Sequence, residues 1–338
     1  MKVDFLKNKI VLISGGTGSF GKTLVKYLIT TDVKEIRIFS RDENKQDNLR
    51  LELNNPIVKF FIGDIRDYQA IFNALRGVDF VFHAAALKQV PSCEFYPMEA
   101  VKTNIIGSNN LINAAQELAV GKIIMLSTDK AAMPINAMGM SKALMEKLTT
   151  SVGLSPIENN SSIFCATRYG NVMGSRGSVI PLFTNLIKSN KVLNVTDLNM
   201  TRFMMSLQDS IELVLFAMQH GAQGELFVQK APSATLKTLI EALEMILKKK
   251  AKIQIIGFRH SEKMHETLLT SEEAGRATDL GKYYQVQPDN RDLNYALIEN
   301  KSKLTINKEE FNSSNTYMLN SSELADLLLK QNFMHELI

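Results

Sequence analysis

The chain has 338 residues, of which 45% are hydrophobic and 22% are charged, as in an ordinary soluble globular protein. Its formal net charge of +4 is mildly basic, and the one dense cationic run, residues 248–250, follows an apolar helical pattern, so we expect no nucleic-acid partner. Two cysteines without CxxC spacing, five histidines without HExxH spacing and no apolar run of about 18 residues argue against a disulfide framework, a metal site and a membrane span, and predict a cytoplasmic protein.

Short apolar, β-branched runs alternate with helical patterns through the first half of the chain. The first strand is followed by a predicted helix over residues 21–30, with Leu24, Val25 and Leu28 on one face. The predicted strands cover residues 9–14, 35–40, 58–64, 79–86, 122–128 and 162–172. Strands that are apolar on both faces and alternate with helices predict an α/β fold with a doubly wound parallel sheet.

The alternation loosens after about residue 175. Residues 207–220 predict another helix, and the last apolar helical stretch is at residues 322–330, after a polar, Asn-rich segment that begins near residue 288. Short strands are predicted within residues 190–197, 224–231 and 251–258. We interpret this half as a smaller α/β lobe that is interleaved with returns to the first sheet.

The loop after the first strand, GGTGSFGKT at residues 15–23, satisfies two phosphate-binding patterns at once. Gly15, Gly18 and Gly21 form a GxxGxxG dinucleotide turn, whereas residues 16–23 form a GxxxxGKT P-loop. Both patterns place phosphate on backbone N–H groups at a helix N-terminus. We favour the dinucleotide turn, because the P-loop match explains no later motif, and the lysine of the GKT triplet is then a solvated helix residue.

The ends of the next three strands indicate which dinucleotide is bound. The second strand ends in Ser40 and Arg41, with Lys45 nearby, so a hydroxyl and two cations stand where an acidic residue would select NAD. This pattern favours NADP. The third strand ends in Asp64, whose carboxylate can meet the adenine amino group, and the fourth ends in small alanines at residues 84–86 that let a cofactor lie close.

Nine motifs, in order along nearly the whole chain, resemble those of the extended short-chain dehydrogenase/reductases: GGTGSFG, FSRDENKQ, GDIRD, HAAALKQVP, KTNIIG, STDKAAMPINAMGMSK, TRYGNVMGSRGSVIPLF, MTRFMMS and GFRHSEK. More narrowly, they resemble the inverting UDP-N-acetylglucosamine 4,6-dehydratases of the CapE-like type, which make precursors of bacterial capsule and O-antigen polysaccharides. The fold that this resemblance implies is a Rossmann domain with a smaller interleaved α/β substrate lobe.

The resemblance implies a lyase with 5-epimerase activity and no net redox change. Tightly held NADP⁺ takes hydride from C4 of the sugar, a base removes the C5 proton, and the C6 hydroxyl leaves as water. Hydride then returns to C6, and C5 is reprotonated on its opposite face. The implied product is a UDP-2-acetamido-2,6-dideoxy-L-arabino-hexos-4-ulose.

The resemblance also implies that acid–base chemistry lies at the STDK sequence. Lys130 is expected to be the base at C5, provided that burial or neighbours lower its pKa towards neutrality. Asp129 is expected to protonate the departing C6 hydroxyl, after taking a proton from the C4 hydroxyl, and Thr128 to hydrogen-bond the sugar. Met138 replaces the family's catalytic tyrosine, as in CapE-like members, and is expected only to form a wall of the C4 pocket. Lys142 is expected to hold the nicotinamide ribose.

Two sets of binding residues follow from the matched motifs. The implied cofactor contacts are Gly15, Thr17, Gly18, Ser19, Phe20, Gly21, Ser40, Arg41, Lys45, Asp64, Ile65, Ala84, Ala85, Asn104 and Lys142. The implied contacts to UDP-N-acetylglucosamine are Lys88, Thr128, Met138, Asn171, Val179, Thr201, Arg202, Arg259 and Glu262, with the arginines as bidentate donors to the diphosphate. Ser261 stands where the family has glycine; if this position requires a positive φ, the serine is strained.

These roles give the domain boundaries that we expect. Residues 1–175 form the NADP-binding domain, to which residues 207–220 return, and residues 176–290 are mainly the substrate lobe. Residues 291–338 resemble a segment that closes over the site or contacts a neighbouring subunit, so we expect a homo-oligomer.

Two other functions stay open. A UDP-sugar 4-epimerase needs a base at C4, which the missing tyrosine normally supplies, and does not need an Asp-Lys pair. A non-catalytic NADP-binding protein would keep the glycine loop and Arg41, but it has no need of Asp129, Lys130 and the arginines together.

Overall fold

A computed structural model describes residues 3–152, 162–175, 177–258, 260–289 and 309–337. Its strands, in chain order, are β1 (Ile10–Ser14), β2 (Glu35–Ser40), β3 (Val58–Ile62), β4 (Phe80–His83), β5 (Lys122–Leu126), β6 (Ile163–Arg168), β7 (Val192–Val195), β8 (Thr201–Phe203), β9 (Leu226–Gln229), β10 (Ser233–Thr235), β11 (Lys252–Ile255), β12 (Thr267–Leu269), β13 (Ala277–Asp279), β14 (Tyr283–Val286) and β15 (Phe311–Asn312).

The helices pack on both faces of the sheet and in the second lobe. They are α1 (Ser19–Leu28), α2 (Glu43–Leu53), α3 (Tyr68–Leu75), α4 (Val90–Phe95), α5 (Pro97–Ala100), α6 (Gly107–Glu117), α7 (Ala137–Ser151), α8 (Val179–Lys188), α9 (Leu207–His220), α10 (Leu236–Leu247), α11 (Ser271–Gly275), α12 (Ser321–Leu329) and α13 (Asn332–Leu337). A π-helical stretch, Val101–Ile106, precedes α6. Within the described residues, no helix combines the length and apolar character needed to cross a bilayer.

The central sheet has nine strands in the order β13-β14-β9-β6-β5-β4-β1-β2-β3. Its strands from β9 to β3 pair in parallel, which confirms the predicted doubly wound sheet. The edge strands β14 and β13 pair antiparallel, which the sequence did not predict. Strand β9, from the loosely organised second half, is also part of this sheet. All four of its residues are buried, so it needs cover on both faces.

The predicted element bounds hold best where the hydrophobic pattern is longest. Strand β2 and helix α9 have the predicted bounds, whereas β4, β5 and β6 end two to four residues early. They end early because the chain leaves the sheet at its carboxyl edge and forms loops there. Helix α1 begins at Ser19 rather than residue 21, since Gly18 is its N-cap.

Three large apolar cores hold the layers together, and a small fourth one contains Cys93, Ala100 and Met138. Leu24, Val25 and Leu28 of α1 are buried, as predicted, and pack with residues of α9 such as Ile211 and Val214 against one face of the sheet. The opposite face carries α3 and α6. A third core contains only residues from 173 onwards, from α8, α10 and α12 among others. Cys93 and Cys165 are free thiols and buried, as expected for small apolar side chains.

Arg168, at the end of β6, joins three elements through a buried guanidinium. Its Nη2 donates to Glu146 Oε2 of α7 at 2.5 Å, and its Nη1 donates to Glu273 Oε2 of α11 at 2.7 Å and to the Leu268 carbonyl of β12 at 2.9 Å. Burial alone would lower the pKa of Arg168, but the carboxylates of Glu146 and Glu273 outweigh burial and raise the pKa. A buried ion pair of this kind is costly to break, so it fixes residues 267–273 against the sheet.

Candidate active site

A cleft of about 680 Å³ lies at the carboxyl edge of the parallel strands. Its walls are the loops that follow β1, β2, β3, β4, β5 and β6, together with the first turns of α1 and α7. In open α/β sheets, this edge is where ligands bind, because the connecting loops are free to vary while the strands hold them in place. The cleft is therefore the candidate active site.

Most of the predicted site residues line this one cleft. The lining residues from the predicted sets are Gly15, Thr17, Gly18, Ser19, Phe20, Gly21, Ser40, Arg41, Lys45, Asp64, Ile65, Ala84, Ala85, Lys88, Thr128, Asp129, Lys130, Met138, Lys142 and Asn171. Five predicted residues with described positions, Asn104, Val179, Thr201, Arg202 and Glu262, do not line it. Arg259 lies outside the described residues.

The glycine loop fits a dinucleotide diphosphate. Gly15 has a φ of +67°, and a Cβ there would lie 2.9 Å from the carbonyl oxygen of Ala84, so only glycine allows this approach. No side chain caps the N-terminus of α1, which leaves its N–H groups directed at the cleft for an anion. Lys22 pairs with Glu52 of α2, at 3.6 Å between Nζ and Oε2, and is not part of the cleft lining. A P-loop would need that ammonium at the phosphates.

The adenosine end of the cleft combines cations with two carboxylates. Arg41 Nη1 lies 3.6 Å from Asp64 Oδ2, and Arg66 Nη2 donates to the same oxygen at 2.6 Å. Burial would raise the pKa of Asp64, but the hydrogen bonds from Arg66 outweigh burial and lower it. The sequence interpretation did not include Asp42, which also lines the cleft. Its carboxylate caps α2 and accepts a hydrogen bond from Lys45 Nζ.

Asn104 occupies a structural position rather than a place on the cleft wall. It is fully buried in the π-helical stretch, where its Oδ1 accepts from Leu87 N at 2.8 Å. Its Nδ2 donates to the Leu87 carbonyl and to Ser141 Oγ, both at 2.9 Å. The amide of Asn104 thus binds the loop after β4 to α7, and its predicted contact with the cofactor stays a prediction.

The STDK sequence forms a compact polar cluster at the end of β5. Thr128 Oγ1 donates to Asp129 Oδ1 at 2.8 Å, and Lys130 Nζ donates to the same oxygen at 3.0 Å. Lys130 Nζ also lies 3.3 Å from Oε1 of Glu266, which itself lies 3.9 Å from Arg202 Nε. Side-chain exposure is 1% for Asp129, 4% for Glu266 and 21% for Lys130, so only the lysine reaches the cleft appreciably.

Glu266 was not among the predicted site residues. It lies at the start of β12, four positions after Glu262, just beyond the last motif that was used for the resemblance. The signal that would have found it is a second glutamate in SEKMHE, beside a motif already assigned to the site. Glu266 matters for the pKa of Lys130, because the lysine then has two carboxylate neighbours instead of one.

The expected lowering of the Lys130 pKa is not found. Burial alone would lower it, but Asp129 and Glu266 outweigh burial, and the Lys130 pKa is raised above its ordinary value. In the ligand-free protein Lys130 is therefore an ammonium ion, and a proton must leave it before it can act as a base.

The first turn of α7 places Met138 and Lys142 on the cleft wall. Asn136 caps this helix by accepting from Gly139 N at 2.8 Å. A Cβ at Gly139 would lie 2.3 Å from the Lys130 carbonyl oxygen, so the helix starts directly against the STDK loop. Met138 is 4% exposed. Burial lowers the pKa of Lys142 to about 8, although Glu146 opposes this, and its Nζ donates to the Leu126 carbonyl at 2.8 Å.

Tyr169 also lines the cleft, so it could in principle replace the tyrosine that position 138 lacks. Burial, however, raises its pKa well above the ordinary value for tyrosine. A phenol that resists ionisation is a poor base at neutral pH. Tyr169 is therefore a poor replacement for the missing tyrosine, and the cluster at residues 128–130 stays the predicted site of proton transfer.

The remaining predicted substrate residues with described positions do not line the cleft. Thr201 is buried and bonds His265 Nδ1 at 2.8 Å, while Arg202 donates from Nη1 to the Thr201 carbonyl at 2.7 Å. Glu262 accepts from Thr196 Oγ1 at 3.0 Å, and Val179 is the first residue of α8. Of these four predicted residues, Arg202 is linked to the STDK cluster, through Glu266.

Ser261 adopts the left-handed conformation, with a φ of 65°. The family's glycine position thus does require a positive φ in this chain. The loop is held by Asn136 Nδ2, which donates to the Ser261 carbonyl at 3.3 Å, and by Lys263 Nζ, which donates to the Ala132 carbonyl at 2.8 Å. Both contacts dock it beside the start of α7.

The loop after β6, described at residues 169–175 and 177–178, forms another wall of the cleft. Gly174 in this loop has a φ of +69°, and a Cβ there would lie 2.2 Å from the Phe333 ring of α13. The ring therefore packs directly on the glycine backbone. This contact supports the loop from outside, on the side away from the cleft.

Two family models match the sequence end to end. A model described as "Polysaccharide biosynthesis protein" matches residues 11–288, and one described as "Polysaccharide biosynthesis protein C-terminal" matches residues 289–335. The match covers both the Rossmann-like sheet and the second lobe.

Similar proteins and structures agree with this match. A Rickettsia bellii (strain RML369-C) protein named UDP-glucose 4-epimerase is 54% identical over 335 residues, or 97% of this chain and 98% of that protein. The X-ray structure of Pen from Bacillus thuringiensis has a TM-score of 0.88 and 39% identity, covering 97% of this chain and 100% of that one. DesIV, a dTDP-glucose 4,6-dehydratase from Streptomyces venezuelae, has a TM-score of 0.69 at 21% identity, covering 75% of this chain and 86% of that chain, and shares the fold.

Replacing Ser261 by glycine is expected to stabilise the protein. A left-handed conformation costs an L-residue roughly 1–2 kcal/mol, and the entropy cost of glycine takes back part of that gain, leaving about 0.5 kcal/mol. The measurement is the free energy of unfolding in urea. Ser189→Gly is the matched control, because Ser189 has a φ of −81° and should lose stability. Equal losses in the two variants would show that Ser261 carries no strain.

Proposed function

We propose that this chain, which belongs to the polysaccharide biosynthesis protein family of nucleotide-sugar-modifying enzymes with an extended short-chain dehydrogenase/reductase fold, is an NADP-dependent UDP-N-acetylglucosamine 4,6-dehydratase that inverts C5. The product would serve surface polysaccharide synthesis. One observation carries the proposal. The Asp129–Lys130 pair lies on the wall of the same cleft as position 138, which holds methionine.

The proposed cofactor contacts follow the length of the cleft. The glycine loop at residues 15–21 would hold the diphosphate, and Arg41 would meet the 2′-phosphate of NADP at the adenosine end. Lys142, already buried beside Leu126, would hold the nicotinamide ribose. When bound, NADP accepts and returns a hydride, and the remaining chemistry consists of proton transfers by side chains.

The proton transfers can be assigned from the hydrogen bonds of the STDK cluster. Because Thr128 Oγ1 already donates to Asp129 Oδ1, a proton from the C4 hydroxyl can pass through Thr128 to the Asp129 carboxylate. Protonated Asp129 then supplies the proton with which the C6 hydroxyl leaves as water. Lys130, once neutral, takes the C5 proton, and inversion follows when a proton returns to C5 from the opposite face.

A 4-epimerase is the second candidate, because relatives 54% identical carry that name. The chemistry of the cleft argues against an epimerase. Epimerisation needs one base at C4, and neither Met138 nor the high-pKa Tyr169 suits that role. It also gives Lys130 no task at C5. If the chain is an epimerase, the Thr128–Asp129 pair must act alone at C4.

Incubation with UDP-N-acetylglucosamine in D₂O is expected to give a product with a 6-methyl signal and deuterium at C5, because the mechanism breaks the C5–H bond and deoxygenates C6. Proton NMR of the nucleotide sugar provides the measurement, with UDP-glucose as a parallel substrate. A C4 epimer without C5 exchange would instead support the epimerase. Unchanged substrate with retained cofactor would support a non-catalytic NADP-binding protein.

Lys130→Ala is expected to lower the rate of product formation by at least 10²-fold, because it removes the base at C5. Met138→Ala is expected to lower it by less than about ten-fold, since it enlarges the pocket without removing a titratable group. Rates are compared at saturating substrate after the bound cofactor has been quantified. Equal losses in the two variants would refute the role of Met138 as a pocket wall.

Arg41→Ala is expected to weaken NADP binding by about ten-fold and to leave NAD binding unchanged, because a charge-assisted contact to the 2′-phosphate contributes on the order of 1.5 kcal/mol. Isothermal titration with each dinucleotide measures both affinities. Arg50→Ala is the control, since Arg50 pairs with Asp47 on the exposed side of α2. Equal loss for both dinucleotides in Arg41→Ala would contradict the preference for NADP.

A further inference from the structure

We propose that Glu266 is a positioning residue of the active site, which holds Lys130 against Asp129 and accepts its proton so that a neutral amine faces the substrate. The inference rests on the proposed function, because it concerns how Lys130 becomes a base. It assigns a task to a buried carboxylate that no motif of the sequence singled out.

The geometry places the Lys130 ammonium between two carboxylates. Its Nζ is 3.0 Å from Asp129 Oδ1 and 3.3 Å from Glu266 Oε1, so both are within reach of a proton transfer. Among the described residues, nothing donates to the outer oxygens, Asp129 Oδ2 and Glu266 Oε2, although both are buried. A buried carboxylate oxygen without a donor is costly, and a proton on one of the two carboxyls relieves that cost.

The charges that face the cluster come from several elements. Asp129 and Lys130 belong to the turn after β5, Glu266 precedes β12, and Arg202 approaches from β8, with its Nε 3.9 Å from Glu266 Oε1. Lys263, whose pKa is lowered by burial, stands nearby and donates from Nζ to the Ala132 carbonyl. Glu310 acts more weakly, through Lys263. Because the pKa of Lys130 is raised, the proton rests on Lys130 until the surroundings change.

Filling the cleft with a sugar would change the balance between the two forms. In contact with water, the ion pair Lys130 ammonium–Glu266 carboxylate is solvated through the lysine, which is 21% exposed. Removal of that water disfavours both charges and favours the neutral amine–carboxylic acid pair. The transfer is balanced: the N–H bond of Nζ breaks, an O–H bond forms on Glu266 Oε1, and the freed lone pair on Nζ can take the C5 proton.

Backbone contacts hold Glu266 in place for this task. Its N–H donates to Ser313 Oγ at 2.9 Å, and the Ser313 N–H donates to its carbonyl at 2.8 Å. Two residues further on, the Leu268 carbonyl accepts from Arg168. A carboxylate that is fixed on both sides can keep a 3.3 Å approach to Lys130 while substrate enters and leaves.

Titration of Lys130 tests this inference directly. Protein carrying lysine labelled with ¹³C at Cε is titrated by NMR, and the Lys130 signal is assigned by its loss in Lys130→Met. In Glu266→Gln the Lys130 midpoint is expected to fall by about one pH unit, because one of its two anionic partners is gone. An unchanged midpoint would overturn the inference whether or not the chain is a dehydratase.

The pH profile of turnover provides the second measurement. With Glu266 present, Lys130 passes its proton to Glu266, so turnover does not require that proton to be lost to water. In Glu266→Gln the proton must be lost to water before Lys130 can act as a base, so the acidic limb should move to higher pH. The loss of the contact should also lower kcat by roughly ten-fold with little change in KM. A lower kcat with an unmoved acidic limb would mean that Glu266 has a structural role only.

Two further variants separate charge from contact. Glu266→Asp keeps the charge but shortens the reach, so the acidic limb should stay near that of the wild type while kcat falls. Glu272→Gln, on the exposed start of α11, should change neither, because Glu272 is 60% exposed and 3.6 Å from Arg276. If the acidic limb of the pH profile shifted as far in Glu272→Gln as in Glu266→Gln, a specific role for Glu266 would be contradicted.

Discussion

The buried Arg168 guanidinium is the contact on which the arrangement of the cleft depends. It arises at the end of a central strand and is shared between Glu146 of α7 and Glu273 of α11, with the Leu268 carbonyl between them. Without it, two carboxylates would be left buried and unpaired, which costs several kcal/mol. Helix α7 carries Met138 and Lys142, and β12 directly follows Glu266. Arg168 binds both elements, so this one cation positions both relative to the sheet.

The hydrophobic pattern of the sequence was sufficient to predict the sheet and the position of the cleft. Each of the apolar runs at residues 35–40 and 207–220 fits a single periodicity, that of a strand or that of a helix. The predicted bounds of these two elements therefore match the structure. The glycine loop was equally informative, since Gly15 approaches the backbone after β4 too closely for any side chain. Parallel strands then bring their carboxyl ends to one edge, so residues 15–21, 40–45 and 128–130 had to meet.

The sequence was insufficient where a role depends on distant partners. Asn104 matches a motif, but its amide is consumed by Leu87 and Ser141, which only the fold brings near. The direction of the Lys130 pKa shift could not be predicted either, because burial and Asp129 act in opposite directions and Glu266, which the sequence did not single out, adds to the effect of Asp129. Glu266 itself directly precedes β12, and local periodicity carries no information about which segment will pack beside the STDK turn.

The contact between Gly174 and Phe333 has a consequence for how the protein is made. The wall of the cleft at residues 169–175 emerges from the ribosome long before α13, whose Phe333 ring packs on Gly174 of that wall. The sheet and its cores also take residues from α9, β9 and β14, so they too are completed only late in synthesis. The contact with Phe333 forms last of all, because α13 must first be synthesised and docked, and the cleft is complete only with the end of the chain.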